Sequence, residues 1–486
     1  MKLELRGHDE RYTVEQSLLN LFPGELPVYG TVTREEPSWA VVELSEADGR
    51  AEIAVELSRD GKTARRERAE ILSGTDYERE GIRRRGIGRC FYEAAIAITG
   101  TRPPWGMLSG VRPDKLVTAA LLSGRSEADA LRMLEDAYAV TPERAALALE
   151  TGRIACRTAA GLDKRDIAVY VGIPFCPTRC AYCSFVSQSV EKSFRLLEPY
   201  VEALTNEIRA GGELARRLGL RVLAFYMGGG TPTTLSPEQL DAVLDAFDAA
   251  FDTAYCTERT VEAGRPDTIT AEKMSVLRAH GVDRVSVNPQ SMEDDVLKAI
   301  GRRHTASDIV RAMELVSDFP YVNMDVIAGL PADTPDGFAY TLRRCVEFAP
   351  ENLTVHTLSL KKGSRVLTES LTIPDADAVR AMLDFAAPAL RENGYAPYYL
   401  YRQKYMSGSF ENIGWGRPGT ECLYNILMMS ELCTILSFGA GGSTKLVDRD
   451  ANRIQRLFHP KYPEEYISRA ADFSPIEAFY ENRISS

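Results

Sequence analysis

From Ile167 to Phe185 the chain reads IAVYVGIPFCPTRCAYCSF. Its first seven residues are a nearly continuous run of β-branched and other apolar side chains around Tyr170, the pattern of a strand buried on both faces. Pro174 follows, and Cys176, Cys180 and Cys183 then fall within eight residues. Five more runs of the same kind come later: RVLAFYMGG, RTVEAG, RVSVNP, YVNMDVIAG and LTVHTLSL. Amphipathic stretches such as SPEQLDAVLDAFDAAF and TAEKMSVLRAHG separate them. Repeated strand–helix–strand units with right-handed crossovers build a parallel sheet. Six units are too few for an eightfold barrel. The expectation is an α/β fold, an open partial (β/α)6 barrel over residues 162–392, with its site at the carboxyl ends of the strands.

Outward from that core, residues 1–161 read as an α+β domain. MKLELRG is strand-like and TVEQSLLNLF helical; residues 39–44 and 51–57 alternate as strands around a hairpin turn at Asp48–Gly49. REGIRRRGIGRCFYEAAIAIT reads as a helix, and TRPPWGMLSGVRPDK as a loop before more helical sequence. Residues 393–486 read as a small, mostly helical region that covers the substrate. It opens on the Tyr-rich GYAPYYLYRQKYMSGSFENIGWGRPG and continues through YNILMMSELCTIL and a Gly-rich turn, FGAGGSTK.

Composition narrows the class. The chain has 486 residues, 44% apolar and 26% charged, which excludes a disordered or fibrous protein. A net charge of −11 argues against nucleic acid as a partner. No stretch reaches the roughly 18 apolar residues of a membrane span, and MKLELRGHDE has no apolar signal segment. The reading is cytoplasmic, where thiols stay reduced and nine Cys are no disulfide framework. Cys90, Cys156, Cys256, Cys345, Cys422 and Cys433 are scattered; the other three are not.

Three thiolates on one loop can be unrelated thiols, a zinc site completed by a distant His, or ligands of an Fe–S cluster. A closed zinc site needs a fourth N or S ligand, and no local CxxC or HxxxH pair supplies it. Three ligands after a strand suit a cubane with one iron left open.

CxxxCxxC with Tyr182 before the last Cys resembles the motif of the radical S-adenosylmethionine (SAM) superfamily. The resemblance implies that Cys176, Cys180 and Cys183 hold a [4Fe–4S] cluster whose fourth iron SAM chelates, with no catalytic residue beyond the cluster-bound SAM. Gly228-Gly229-Gly230-Thr231-Pro232 resembles the family's GGGTPT segment, which binds the SAM amino group. Glu262 in VEAG, Gln290 in SVNPQS, Arg302 in GRRH and Asp325 in NMDVIAGLP resemble further cofactor contacts, Arg302 for the SAM carboxylate and Asp325 for the ribose. Tyr170 and Tyr182 complete the implied cofactor set. His304, beside Arg302, reads as structural. Taken singly, each of these residues could be a satisfied buried polar group.

The whole chain resembles the oxygen-independent coproporphyrinogen III dehydrogenases. These turn two propionates of the tetrapyrrole into vinyls in heme biosynthesis, giving protoporphyrinogen IX. The implied reducing partner is a flavodoxin or ferredoxin. A substrate with four carboxylates needs cations and aromatic walls, for which Arg402, Lys404 and Arg417 among the tyrosines, and Arg112 in GVRPDK, are candidates. A solvated Tyr-rich surface is the other reading of that stretch. The chain departs from these dehydrogenases at Gly172, where they have His, and at Phe185, where they have a fourth Cys and the related heme chaperones have Phe. A heme chaperone, or a radical enzyme acting on another tetrapyrrole, is the alternative.

Overall fold

The computed structural model describes every residue except 23, 111, 184–187, 360–363, 404–409 and 485–486. The chain divides into two compact units: Met1–Leu149 with Arg402–Phe410, and Glu150–Tyr401 with Glu411–Ser486.

In the first unit, strands Val28–Tyr29, Lys2–Arg6, Ser38–Ala47, Arg50–Arg59 and Lys62–Ile71 form one sheet in that order. Asp48–Gly49 and Asp60–Gly61 both take positive φ at their two positions, the turn that matches the twist of a tight hairpin. One sheet face buries Val42, Leu44, Ile53 and Val55 with Val14, Leu18, Ile87 and Phe91 of helices Arg11–Leu21 and Asp76–Thr99. A Thr75–Glu78 capping box starts the longer helix. Arg402 belongs to this unit: it is buried over the Trp105 ring and donates to the Leu108 carbonyl.

The second unit is built on an 11-stranded sheet. Its strands in chain order are β1 (Asp166–Ile173), β2 (Arg221–Gly229), β3 (Glu258–Glu262), β4 (Arg284–Ser286), β5 (Tyr321–Ala328), β6 (Asn352–Thr357), β7 (Ala396–Arg402), β8 (Glu411–Gly416), β9 (Thr434–Phe438), β10 (Ser443–Asp448) and β11 (Arg453–Phe458). β1 to β6 lie side by side in consecutive order, all parallel, the (β/α)6 arrangement expected from the sequence. Apolar side chains of β1 to β5 pack with helices such as Leu197–Arg217 and Pro237–Ala250 in one core. The sheet stays open, with β7 and β11 at its edges.

The C-terminal stretch corrects the sequence expectation. Residues after Asn393 supply five strands, β7 to β11, in place of a mostly helical region. β8 and β9 are buried at every position. A strand buried on both faces shows no alternation, and a short apolar run of that kind is indistinguishable from helix in sequence. YNILMMSELCTIL is helical only to Ser430; Glu431 turns left-handed at φ 53°, and β9 follows.

Candidate functional site

Register places the chemistry in one band. Tyr170 lies beside Tyr226, Glu262 beside Ser286, Ser286 beside Asn323, and Asp325 beside Thr354. The loops after these strands carry the remaining residues. The cysteine loop follows β1. Phe175–Cys176 pairs with Gln188–Ser189, the Ala181 N–H donates to the Ile300 carbonyl, and Val366 N–H donates to the Ala181 carbonyl. Thr231 Oγ1 donates to Cys176 Sγ at 3.5 Å, and Arg265 Nη1 to Cys180 Sγ at 3.4 Å.

The glycines after β2 are a packing necessity. A Cβ on Gly230 would sit 2.5 Å from the Phe175 carbonyl oxygen and 2.8 Å from that of Ile173. The Gly230 and Thr231 N–H groups donate to those same carbonyls. Gly229, at φ 108°, takes a conformation that favours glycine. The GGGTP segment therefore braces the start of the cysteine loop.

Glu262 ends β3. Tyr226 Oη donates to its Oε1 at 2.6 Å. Burial pushes the Glu262 carboxyl up to about 7, with the Asp325 charge adding to it, while the Tyr226 hydroxyl, the Gly229 N–H and His356 pull the other way. Tyr170, Tyr226 and Tyr424 stack beside it, the last two with ring centroids 4.4 Å apart. Asp325 accepts from Asn323 Nδ2 at 2.9 Å and faces His356 Nε2 at 3.7 Å. Burial alone would raise its carboxyl; His356 and Asn323 overcome that and hold it below the usual range. Gln290 sits at φ 68°, its N–H on the Asp325 carbonyl, and its buried Oε1 has no hydrogen-bond partner. Arg302 donates to the Asn288 carbonyl at 2.7 Å and to Tyr182 Oη at 3.1 Å, and its Nε is unpartnered. His304 is buried 3.7 Å from Asp267, and burial holds its imidazole low.

The match to known proteins follows this geometry. Residues 170–345 match the model of the radical SAM superfamily. The chain is 34% identical to the oxygen-independent coproporphyrinogen-III oxidase-like protein HemZ of Bacillus subtilis, over all of this chain and 98% of that protein. The chain belongs to the radical SAM superfamily. It is also 27% identical to the heme chaperone HemW of Escherichia coli, over 62% of this chain and 75% of that one. The crystal structure of Escherichia coli coproporphyrinogen III oxidase HemN shares the fold, with a TM-score of 0.50, 21% identity, and coverage of 68% of this chain and 82% of that one.

Radical SAM proteins use a [4Fe–4S] cluster and SAM. The residues present fit both. Among the described residues no group of three His, Cys, Asp or Glu side chains gathers closely enough for a single metal ion. Cys176, Cys180 and Cys183, carried on the one loop after β1, would each supply a thiolate to such a cluster. Buried polar atoms left without partners cost free energy unless a ligand meets them, and Gln290 Oε1, Asn288 Oδ1 and Arg302 Nε, all in the segment between β4 and β5, are such atoms.

Of the candidate substrate cations, Arg417 alone lies in the second unit among the described residues. Gly416 pairs with Asn352, the first residue of β6, so Arg417 lies at the amino end of the sheet, stacked on Tyr395 at 4.8 Å. Arg402 and Arg112 belong to the first unit, and Lys404 and Phe185 lie outside the described residues. Gly172 packs against the Gly-rich turn after β9: its carbonyl accepts from Tyr200 Oη at 2.6 Å, and a Cβ there would meet the Phe438 and Ala440 carbonyls at 3.4 Å. Arg265, Tyr226, Tyr424 and His356 are site residues that the sequence reading missed. They carry no spacing signal, and only the parallel register assembles them. A cleft of about 740 Å³ between helix Leu197–Arg217 and residues 456–476 contains none of these side chains. Its buried Glu207 is satisfied by the Gly439 N–H, Tyr466 Oη and His459.

Proposed function

We propose that the protein is an oxygen-independent coproporphyrinogen III dehydrogenase of porphyrin biosynthesis, working in the cytoplasm with a flavodoxin- or ferredoxin-type electron donor and no nucleic-acid partner. The observation that carries this reading is similarity to the HemZ protein along the entire chain, including the N-terminal unit, joined to an intact thiolate loop and its ring of cofactor-facing groups. Among the described residues no helix is long and apolar enough to cross a membrane.

Each residue has a role in this reading. Cys176, Cys180 and Cys183 would hold the cluster. Glu262 and the Gly229–Thr231 backbone receive the SAM amino group, Arg302 faces its carboxylate, Gln290 meets its polar edge, and Asp325 takes the ribose hydroxyls. Tyr170, Tyr226 and Tyr424 wall the site against water. When bound, cluster and SAM supply one-electron cleavage that yields a hydrogen-abstracting radical. The substrate propionate then loses a β-hydrogen, the bond to its carboxylate breaks, CO₂ departs, and one electron leaves to an acceptor as the vinyl forms.

Anaerobic incubation of reconstituted protein with dithionite, SAM and coproporphyrinogen III should yield protoporphyrinogen IX by product mass. SAM cleavage with all four substrate carboxylates retained would overturn the assignment. The similarity to the HemW chaperone supports a second reading, heme delivery. It predicts stoichiometric heme binding without turnover.

A further inference from the structure

Arg265 lies just past the end of β3, and its side chain is only 3% exposed. A guanidinium so deeply buried needs a full set of acceptors. It finds them chiefly on the cysteine loop: Nη1 donates to Cys180 Sγ at 3.4 Å and to the Thr178 carbonyl at 3.2 Å, and Nη2 to Thr178 Oγ1 at 2.8 Å. Nε reaches Asp267 Oδ1 at 3.3 Å. Asp267 also faces His304 at 3.7 Å. Burial works against its ionisation, but His304 and the Arg265 charge bring it down to about 2. Arg302 approaches Cys180 as well. Two buried cations therefore converge on the sulfur of Cys180.

We propose that Arg265 sets the reduction potential of the cluster through the sulfur of Cys180. The inference rests on the cluster assignment made above and deepens it. Reduction adds one electron to the cluster and breaks no bond. A cation and a hydrogen bond at a ligand sulfur both favour the more negative, reduced state. Pinning Thr178 alone would need no charge at the sulfur.

The test uses the reconstituted full-length protein without SAM, with the cluster titrated electrochemically and followed by electron paramagnetic resonance. Arg265→Met removes charge and donor; Arg265→Gln keeps a donor to Thr178 and removes the charge. Both should lower the midpoint by the equivalent of at least a tenfold shift in the reduction equilibrium, about 59 mV for one electron. Arg303→Met is the control: Arg303 is exposed and paired with Glu191 at 2.7 Å, and its loss should leave the midpoint in place. Iron-loaded Met or Gln variants with the parent midpoint would overturn the proposal. So would loss of iron from both variants, which would make Arg265 a clamp only. A parent protein that takes up no cluster would instead sink the cluster assignment, and is told apart because the unsubstituted chain already fails.

Discussion

If Glu262 receives the SAM amino group as a carboxylate, cofactor affinity must depend on pH in a range where free carboxylates show no titration. Burial holds Glu262 up to about 7 against an ordinary 4.5. The sign follows: below pH 7 the folded protein keeps this carboxyl protonated, above it the carboxylate forms, and cation binding gains. Tyr226, Asp325 and His356 are the titratable groups that act on it, and Asp325 stays ionised throughout because its own carboxyl is held low. At pH 6 about one-tenth of Glu262 is ionised and at pH 8 about nine-tenths, so the apparent dissociation constant for SAM should fall about tenfold between them. The assay is equilibrium binding of SAM to reconstituted, unreduced protein across that interval, in parent and Glu262→Gln. The parent should show the slope; the variant should bind weakly and without it. A flat parent profile, or a slope that survives in Glu262→Gln, would refute the assignment of Glu262 as the responding group.

Three further outcomes are expected. Glu258 accepts from the Leu423 and Tyr424 N–H groups at 2.7 and 2.9 Å and pairs with buried Arg284. Glu258→Ala strands both amides and takes the carboxylate from Arg284, which keeps Asn352 Oδ1 and the Thr420 carbonyl as acceptors, and it should cost about 3–5 kcal/mol in urea unfolding; a loss under about 1 kcal/mol would show that the network relaxes. Gly230→Ala drives a Cβ into the Phe175 carbonyl, so it should keep native circular dichroism but lose most reconstituted iron, and full iron uptake would count against the bracing role. Arg417→Ala should change kcat/KM by no more than about twofold, since the residue lies at the far end of the sheet; a large rise in KM would return it to the substrate.

The parts legible in sequence were those whose signal is local. Six apolar runs and three closely spaced thiols are each readable within about ten residues. Strand Lys62–Ile71 escaped because its charged side chains leave most of it exposed, with no alternation to read. Arg417 illustrates the opposite failure. Cations and aromatics crowd the sequence around it, yet β8 runs antiparallel to β6 and carries it away from the strand ends. Arg265, Glu258 and Tyr424 act across loops and strands, so no window of sequence contains both partners. The resemblance of GGGTP to a SAM-binding segment gives no sign that Gly230 also makes room for the cysteine loop, which only the structure shows.

The pairing of β9 with β1 has a consequence for how the protein is made. Thr434 lies opposite Ile167 and Phe438 opposite Val171, so the strand that launches the cysteine loop waits for a partner that follows it, and all of β2 to β8, in the chain. During synthesis β1 to β6 can assemble in order from the ribosome while one flank of β1 stays bare, an open edge able to pair with the wrong chain. Gly439, whose own Cβ would strike the Gly172 carbonyl, arrives with that same late segment. Cluster insertion on a nascent chain that still lacks β9 would therefore meet a loop whose foundation is missing, and maturation should follow the pairing of β9 with β1.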